Sequence, residues 1–332
     1  MKEADIRPAE LFDRYLAIVR QDIERFFSDA SGFTSVQCPA CGDSSSSAAF
    51  VKLGFPYRTC EECGTLYQSP RPSAAAIDDY YRRGEAVAFW SSNFYRETAE
   101  ARRQRIYRPR AERLAQLASE GILKNCGVFA DIGAGYGLFL EEVRRTNVFG
   151  AVTGVEPAPN MVEEYRRKGF EVLPTFIEDV PRGALHTDCA TSFEVIEHVH
   201  SPERFLGAIE RVLEPGGVLL FTTLTISGFD LLVLWERSKS IYPPHHLNFM
   251  SVEGVERLLV RTGYDVIDIS TPGQLDVDIV ANAAAEDPTI QLPRFVDNLL
   301  HSRNGNARAE FQQFLQRNRL SSHLHCLARK RA

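Results

Sequence analysis

Two sorts of residue grouping in this chain have the types and spacing to do chemistry: paired thiols, and carboxylates followed closely by imidazoles. The thiols are C-P-A-C-G, Cys38 to Gly42, and C-E-E-C-G, Cys60 to Gly64, with 18 residues between the pairs. Two C-x-x-C knuckles at this separation match a four-cysteine zinc ribbon, and the glycine after each frees the tight turn around the sulfurs. Four thiolates close a tetrahedral shell and leave no position for water, so Cys38, Cys41, Cys60 and Cys63 are expected to hold a structural Zn2+. The second grouping is S-F-E-V-I-E-H-V, Ser192 to Val199. Its His198 is of the residue type best suited to accept a proton near neutral pH. A third string, Y-P-P-H-H-L-N-F-M-S from Tyr242 to Ser251, adds His245 and His246.

Such groups need a ligand beside them, and V-F-A-D-I-G-A-G-Y-G, Val128 to Gly137, reads as its cradle. Val128, Phe129 and Ala130 make a short apolar strand that closes on Asp131, and Leu138, Phe139, Leu140 and Val143 then fall at helical spacing. The glycines between them let the backbone take positive φ and let a ligand approach closely. Ala151 to Val155 is a second apolar strand ending at Glu156, where such folds grip a ribose. The pattern leaves a dinucleotide or S-adenosylmethionine as the cofactor.

D-I-G-A-G-Y-G resembles motif I of class I S-adenosylmethionine-dependent methyltransferases. E-P-G-G, Glu214 to Gly217, resembles the turn before their fifth strand, and E-V-I-E-H-V resembles the ubiquinone-biosynthesis O-methyltransferases. The resemblance covers about residues 86 to 283. It implies that Gly133, Ala134 and Gly135 lie against the cofactor, that Asp131 orients its amino-acid arm, and that Glu156 accepts both ribose hydroxyls. It also implies an acidic residue for the adenine amino group, Asp179 or its neighbour Glu178, with Met161 flanking the ring. Phe193 and Glu194 fall where the fourth strand ends, above the reacting methyl. H-L-N-F-M-S resembles a step seen in sugar-modifying and ubiquinone-type methyltransferases, which makes His246 the leading general base and His245 and Tyr242 its accessories. Glu194, Glu197, His198 and His246 together resemble the metal site of small-RNA 2′-O-methyltransferases, where a divalent ion such as Mg2+ would polarise the acceptor hydroxyl.

The elements that must position these residues follow from the pattern. The expected fold is α/β, a Rossmann-like seven-stranded methyltransferase sheet with an N-terminal zinc ribbon and helical extensions at both ends. Strands are expected near 127–131, 151–155, 170–173, 188–193 and 217–223, and helices near 137–146, 159–168 and 202–213, a parallel rhythm with right-handed crossovers. Tyr264 to Ile269 and Asp276 to Ala281 read as a closing antiparallel pair. The divisions are an N-terminal helix (1–35), the ribbon (36–73), a helical lid or linker (74–120), the methyltransferase domain (121–284) and a helical extension (285–332). In the lid, Trp90, Phe94, Tyr95 or an arginine would touch ligand, and Pro109 would kink the helix. The last residues, A-R-K-R-A, read as frayed. Phe295, Leu299 and Leu300, then Phe311, Phe314, Leu315 and Leu320, would pack on the core or in a homodimer.

Composition bounds the partners. The chain is 332 residues, 44% hydrophobic and 25% charged, an ordinary globular balance. A formal charge of -6 argues against a general nucleic-acid binder. No apolar run approaches a membrane span and no signal-peptide core opens the chain, which implies a cytoplasmic protein whose remaining cysteines, Cys126, Cys189 and Cys326, are buried thiols. The function expected is methyl transfer to O or C of a small acceptor, sugar or nucleotide-sugar in class, because a ribbon followed by this domain resembles sugar methyltransferases. Two other readings stand beside it: an RNA methyltransferase docking through the ribbon, for which Arg102, Arg103, Arg105, Arg108 and Arg110 would count, and a non-catalytic scaffold.

Overall fold

A computed structural model describes residues 8–133, 135–301 and 306–331. The central sheet has seven strands. In chain order they are β4 (Val128–Ile132), β5 (Ala151–Val155), β6 (Glu171–Leu173), β7 (Thr187–Phe193), β8 (Leu213–Leu224), β10 (Tyr264–Ser270) and β11 (His323–Lys330). Across the sheet they run β10-β11-β8-β7-β4-β5-β6. The pairs β4–β5, β4–β7, β5–β6 and β7–β8 are parallel, and β11 lies antiparallel to both neighbours. β4 and β7 are neighbours although β5 and β6 lie between them in the chain. The strand order therefore reverses at β4, and the crevice outside the carboxyl ends of β4 and β7 is where such a sheet takes its ligand. β4 and β8 are buried on both faces, as their continuous apolar runs require.

A second, four-stranded sheet holds β1 (Ser46–Lys52), β2 (Phe55–Cys60), β3 (Leu66–Gln68) and β9 (Asn248–Phe249). Its first three strands come from the cysteine-bearing segment, and the fourth comes from the loop after β8. The ribbon strands are thus joined by backbone hydrogen bonds to the loop that follows β8. The first helix, α1 (Ala9–Phe27), forms where its apolar stripe predicts, burying Phe12, Tyr15, Leu16 and Val19. The long helical stretch before β4 is broken by π-turns at Trp90–Phe94 and Arg103–Tyr107. Pro109 sits in the first turn of the helix Arg108–Ser119, where its missing N–H costs least, so the chain absorbs it with a π-turn just before.

The C-terminal part departs from the sequence reading. Residues 276–281 are not a strand but open the helix Asp276–Glu286. Val277 and Val280, three apart, are its buried face, Asp276 and Asp278 lie in its first turn, and alanines fill its second half. The closing strand is β11, so the stretch 285–332 is not helical throughout, and its helices Arg294–Leu300 and Ala307–Arg317 precede the last strand. Residues 328–331 are not frayed: Arg329 donates to the carbonyls of Gly216 and Ile122 (3.1 and 2.9 Å), and Arg331 N donates to Gly263 O (2.9 Å). Leu324, Cys326 and Ala328 are fully buried in alternation, the period of a strand.

Candidate active site

The cradle is built by the turn after β4. Gly133, Gly135 and Gly137 have φ of 73°, 53° and 68°. A Cβ at Gly133 would meet Val195 Cγ2 at 2.7 Å, so only glycine passes here. The Gly133 amide donates to Val155 O (2.8 Å), locking the turn to β5. Glu156, at the end of β5, accepts from the Gly135 amide (3.1 Å) with one oxygen and from Ala158 N (3.0 Å) with the other. Each carboxylate oxygen has a second lone pair, so both can still accept a hydroxyl. Asp131 accepts from Thr191 Oγ1 (2.6 Å). Asp131 is 3% exposed and Glu156 6%, and burial pushes both carboxyls up to about 7. Met161, Glu178, Asp179 and Phe193 line the same cleft, of about 1560 Å³. Glu178 is the more buried of the acidic pair, and burial raises its carboxyl. Ala134 lies outside the described residues.

His198, His245 and His246 line the same cleft. His198 Nδ1 contacts His245 O (2.7 Å) and His246 Nδ1 contacts Ser240 O (2.6 Å). A carbonyl can only accept, so each ring carries its proton on Nδ1 and offers Nε2 as the basic nitrogen. The two rings are 4.8 Å apart. Burial lowers the pKa of His198 and so keeps it neutral. One ligand atom each from Glu197, His198 and His246 lie within 4.8 Å of one another, a spacing fit for one cation. Burial, with the charge of Glu194 beside it, raises the Glu197 carboxyl far above its usual range.

Glu194 is not one of that trio, although it lies beside Glu197. Its Oε1 accepts from Thr222 Oγ1 (2.6 Å) and from His323 Nε2 (2.8 Å), with Arg110 at 3.8 Å. Burial would raise its pKa, but the His323 and Arg110 charges hold it well below the carboxylate range. Its φ of 56° is costly for a residue with a side chain, and such strain is typical of functional turns. His245 and Tyr242 are committed elsewhere. His245 Nε2 pairs with Tyr80 OH (2.5 Å), and Tyr242 OH donates to Leu16 O (3.0 Å) in α1. Both line the cleft.

The family model described as a methyltransferase domain matches residues 99–269. The chain belongs to this methyltransferase family. The ubiquinone biosynthesis O-methyltransferase of Xanthomonas oryzae pv. oryzae is 29% identical over 154 residues, 44% of this chain and 57% of that protein. An uncharacterized 37.1 kDa protein in a transposon of Streptomyces fradiae is 35% identical over 41% of this chain and 43% of its own length. The chain thus spans about half the length of the curated relatives it matches. A solved structure of a putative sarcosine dimethylglycine methyltransferase from Galdieria sulphuraria is 21% identical, covering 67% of this chain and 86% of that one with a TM-score of 0.44.

The four thiols of this chain come together as the spacing predicts. Cys38 and Cys63 sulfurs are 3.6 Å apart, Cys41 and Cys60 sulfurs 3.5 Å, and all four lie within 4.8 Å of one another. A zinc tetrahedron with bonds of about 2.3 Å needs sulfurs about 3.8 Å apart, so the set fits Zn2+. Cys189 and Cys326 are fully buried and Cys126 partly so. Of the lid residues, Trp90 lines the cleft, as do Arg102, Arg105 and Arg110; the side chains of Phe94 and Tyr95 lie outside the described residues. Arg103 pairs with Glu141 and Glu142 (2.5 and 2.8 Å) and Arg108 with Glu142 (3.2 Å), so these two are tied to the helix after β4. Sequence reasoning missed Tyr80, Tyr81, Thr222 and His323. His323 is 129 residues from its partner Glu194 on a strand not recognised as one, and no local pattern signals it.

Proposed function

We propose that this chain transfers a methyl group from S-adenosylmethionine to an oxygen or carbon of a small, ring-bearing acceptor, sugar or nucleotide-sugar in class. The observation that carries the reading is one cleft lined by both the glycine–Glu156 cradle and the His198–His246 pair. The cradle fits the cofactor: three glycines at positive φ, and two buried carboxylates with lone pairs to spare. When bound, S-adenosylmethionine supplies an electrophilic methyl on a sulfonium.

The chain supplies the rest. Gly133 and Gly135 admit close approach, Glu156 accepts the ribose hydroxyls, and Asp131 orients the amino-acid arm. Glu178 or Asp179 accepts from the adenine amino group beside Met161, and Phe193 covers the reacting end. His246 removes the acceptor proton at Nε2, with His198 beside it as the second base, and orientation by the walls adds to that step. Tyr81, Trp90 and Phe12 also line the cleft and suit a ring. The name of the Xanthomonas relative supports an oxygen acceptor.

The Glu197–His198–His246 trio supports a second reading of the same step. A divalent ion such as Mg2+ there would polarise a hydroxyl, and each histidine already donates its other nitrogen to a carbonyl, as metal-ligating histidines do. The test is transfer of labelled methyl to a panel of sugar nucleotides and phenols, with and without chelator, beside His246→Ala. Transfer lost in the variant supports the reading. No transfer to any acceptor by folded protein that binds S-adenosylhomocysteine would count against it.

A further inference from the structure

The segment that leaves the ribbon, L-Y-Q-S-P-R-P-S, reads in sequence as a linker. In the structure its Arg71 is 1% exposed, among the largest fully buried side chains of the molecule. Its backbone is pinned to Thr34 in both directions (2.8 and 2.9 Å). The guanidinium donates to Gln68 O (2.9 Å) on the ribbon side, and to His200 O (3.1 Å) and Asn248 Oδ1 (3.2 Å) on the methyltransferase side. Asn248 Nδ2 donates in turn to Val199 O (2.8 Å), and the amides of Leu247 and Asn248 donate to Glu197 O (2.9 and 3.1 Å). One planar fork therefore meets both the turn that carries His198 and the loop that carries His246. A lysine has no such fork.

The same loop takes two more bonds from the ribbon. Gln68 N donates to Leu247 O (2.9 Å), and Tyr57 OH donates to His246 O (2.9 Å). Ser251 Oγ donates to the carbonyl of Cys63, a zinc ligand. The oxygens that Arg71 meets are all neutral, and its Nη2 is buried with no partner among the described residues. A desolvated cation among neutral groups is costly. Zinc with four thiolates carries two units of net negative charge.

We propose that Arg71, with Tyr57, is a positioning residue that transmits the placement of the zinc–thiolate ribbon to His198 and His246; that these histidines act on an acceptor rests on the function proposed above. Arg71 is the clamp between the ribbon and the two histidine segments. The ribbon is then part of the acceptor site rather than a separate docking module.

The test uses the zinc-loaded full chain and the variants Arg71→Met, Arg71→Lys and Tyr57→Phe. Nitrogen-15 NMR of the imidazoles reads the tautomers of His198 and His246, calorimetry reads S-adenosylhomocysteine affinity, and a chelator reads the rate of zinc loss. The expected result for Arg71→Met is loss of the fixed Nδ1–H tautomer at both rings and zinc release about tenfold faster, with cofactor affinity within about twofold of the parent. Arg71→Lys is expected to rescue zinc retention but not the tautomers. Tyr57→Phe is expected to disturb His246 alone, and it decides the matter if Arg71→Met fails to fold. Unchanged tautomers in folded variants would overturn the proposal. Shifted tautomers with a failed acceptor screen would overturn the function and leave the coupling standing.

Discussion

Burial raises the Asp131 and Glu156 carboxyls to about 7, and this gives the proposed cofactor site a pH signature. Ligand ammonium and hydroxyl groups donate to the charged forms, so binding draws protons off both groups. Affinity for S-adenosylhomocysteine should therefore rise with pH through about 7 and fall by up to about tenfold per unit below it for each carboxylate that must ionise. Calorimetry from acid to mildly alkaline pH checks this, and a flat profile contradicts it. His246→Ala should lower kcat by about 10²- to 10⁴-fold with cofactor affinity within about twofold of the parent, because in the proposed function the ring serves the acceptor. Equal losses in both would place His246 in the cofactor site instead. At this scale the sequence was informative where residues are close in the chain. The glycine turn, Glu156 and the E-V-I-E-H-V string could be read because a βα turn and a strand end are local geometries. The Glu194–His323 contact could not, since it is made only when β11 enters the sheet.

The elements carry the same lesson. The parallel strands β4 to β8 fall within a few residues of their expected places, because each is a short apolar run between turn signals. α1 was legible from its single stripe. The misreading at 276–281 came from V-D-I-V, where alternation and helical spacing coincide over too few residues to separate. β11 was hidden because the helical pattern before it was carried on to the end of the chain. The two readings make opposite predictions for a chain ending at residue 284. If the closing pair were 264–269 and 276–281, that chain would fold. With β11 lying between β8 and β10, its removal leaves β10 with no partner strand and bares one edge of β8, and the truncated chain should show no cooperative thermal transition. A sharp transition in circular dichroism would contradict the topology.

The whole molecule is two sheets sharing one loop. Because β9 pairs with β3 while His246 sits just before it, the ribbon and the cleft should lose order together. Zinc removal is expected to lower the midpoint of one unfolding transition, seen alike by near-UV circular dichroism and by calorimetry. A separate ribbon transition, with the larger sheet unmoved, would contradict this. The arginines before β4 weigh against RNA docking, since two are paired within the fold and three turn to the cleft. Among the described residues, no helix is long and apolar enough to cross a membrane.

The central claim is that the glycine turn and Glu156 form a cofactor cradle. The most direct measurement is calorimetric titration of the zinc-loaded chain with S-adenosylhomocysteine, beside Glu156→Ala. Losing the acceptor of two hydroxyl hydrogen bonds should weaken binding by about a hundredfold or more, with one site per chain in the parent. No binding by the folded parent, or equal binding by the variant, would contradict the account.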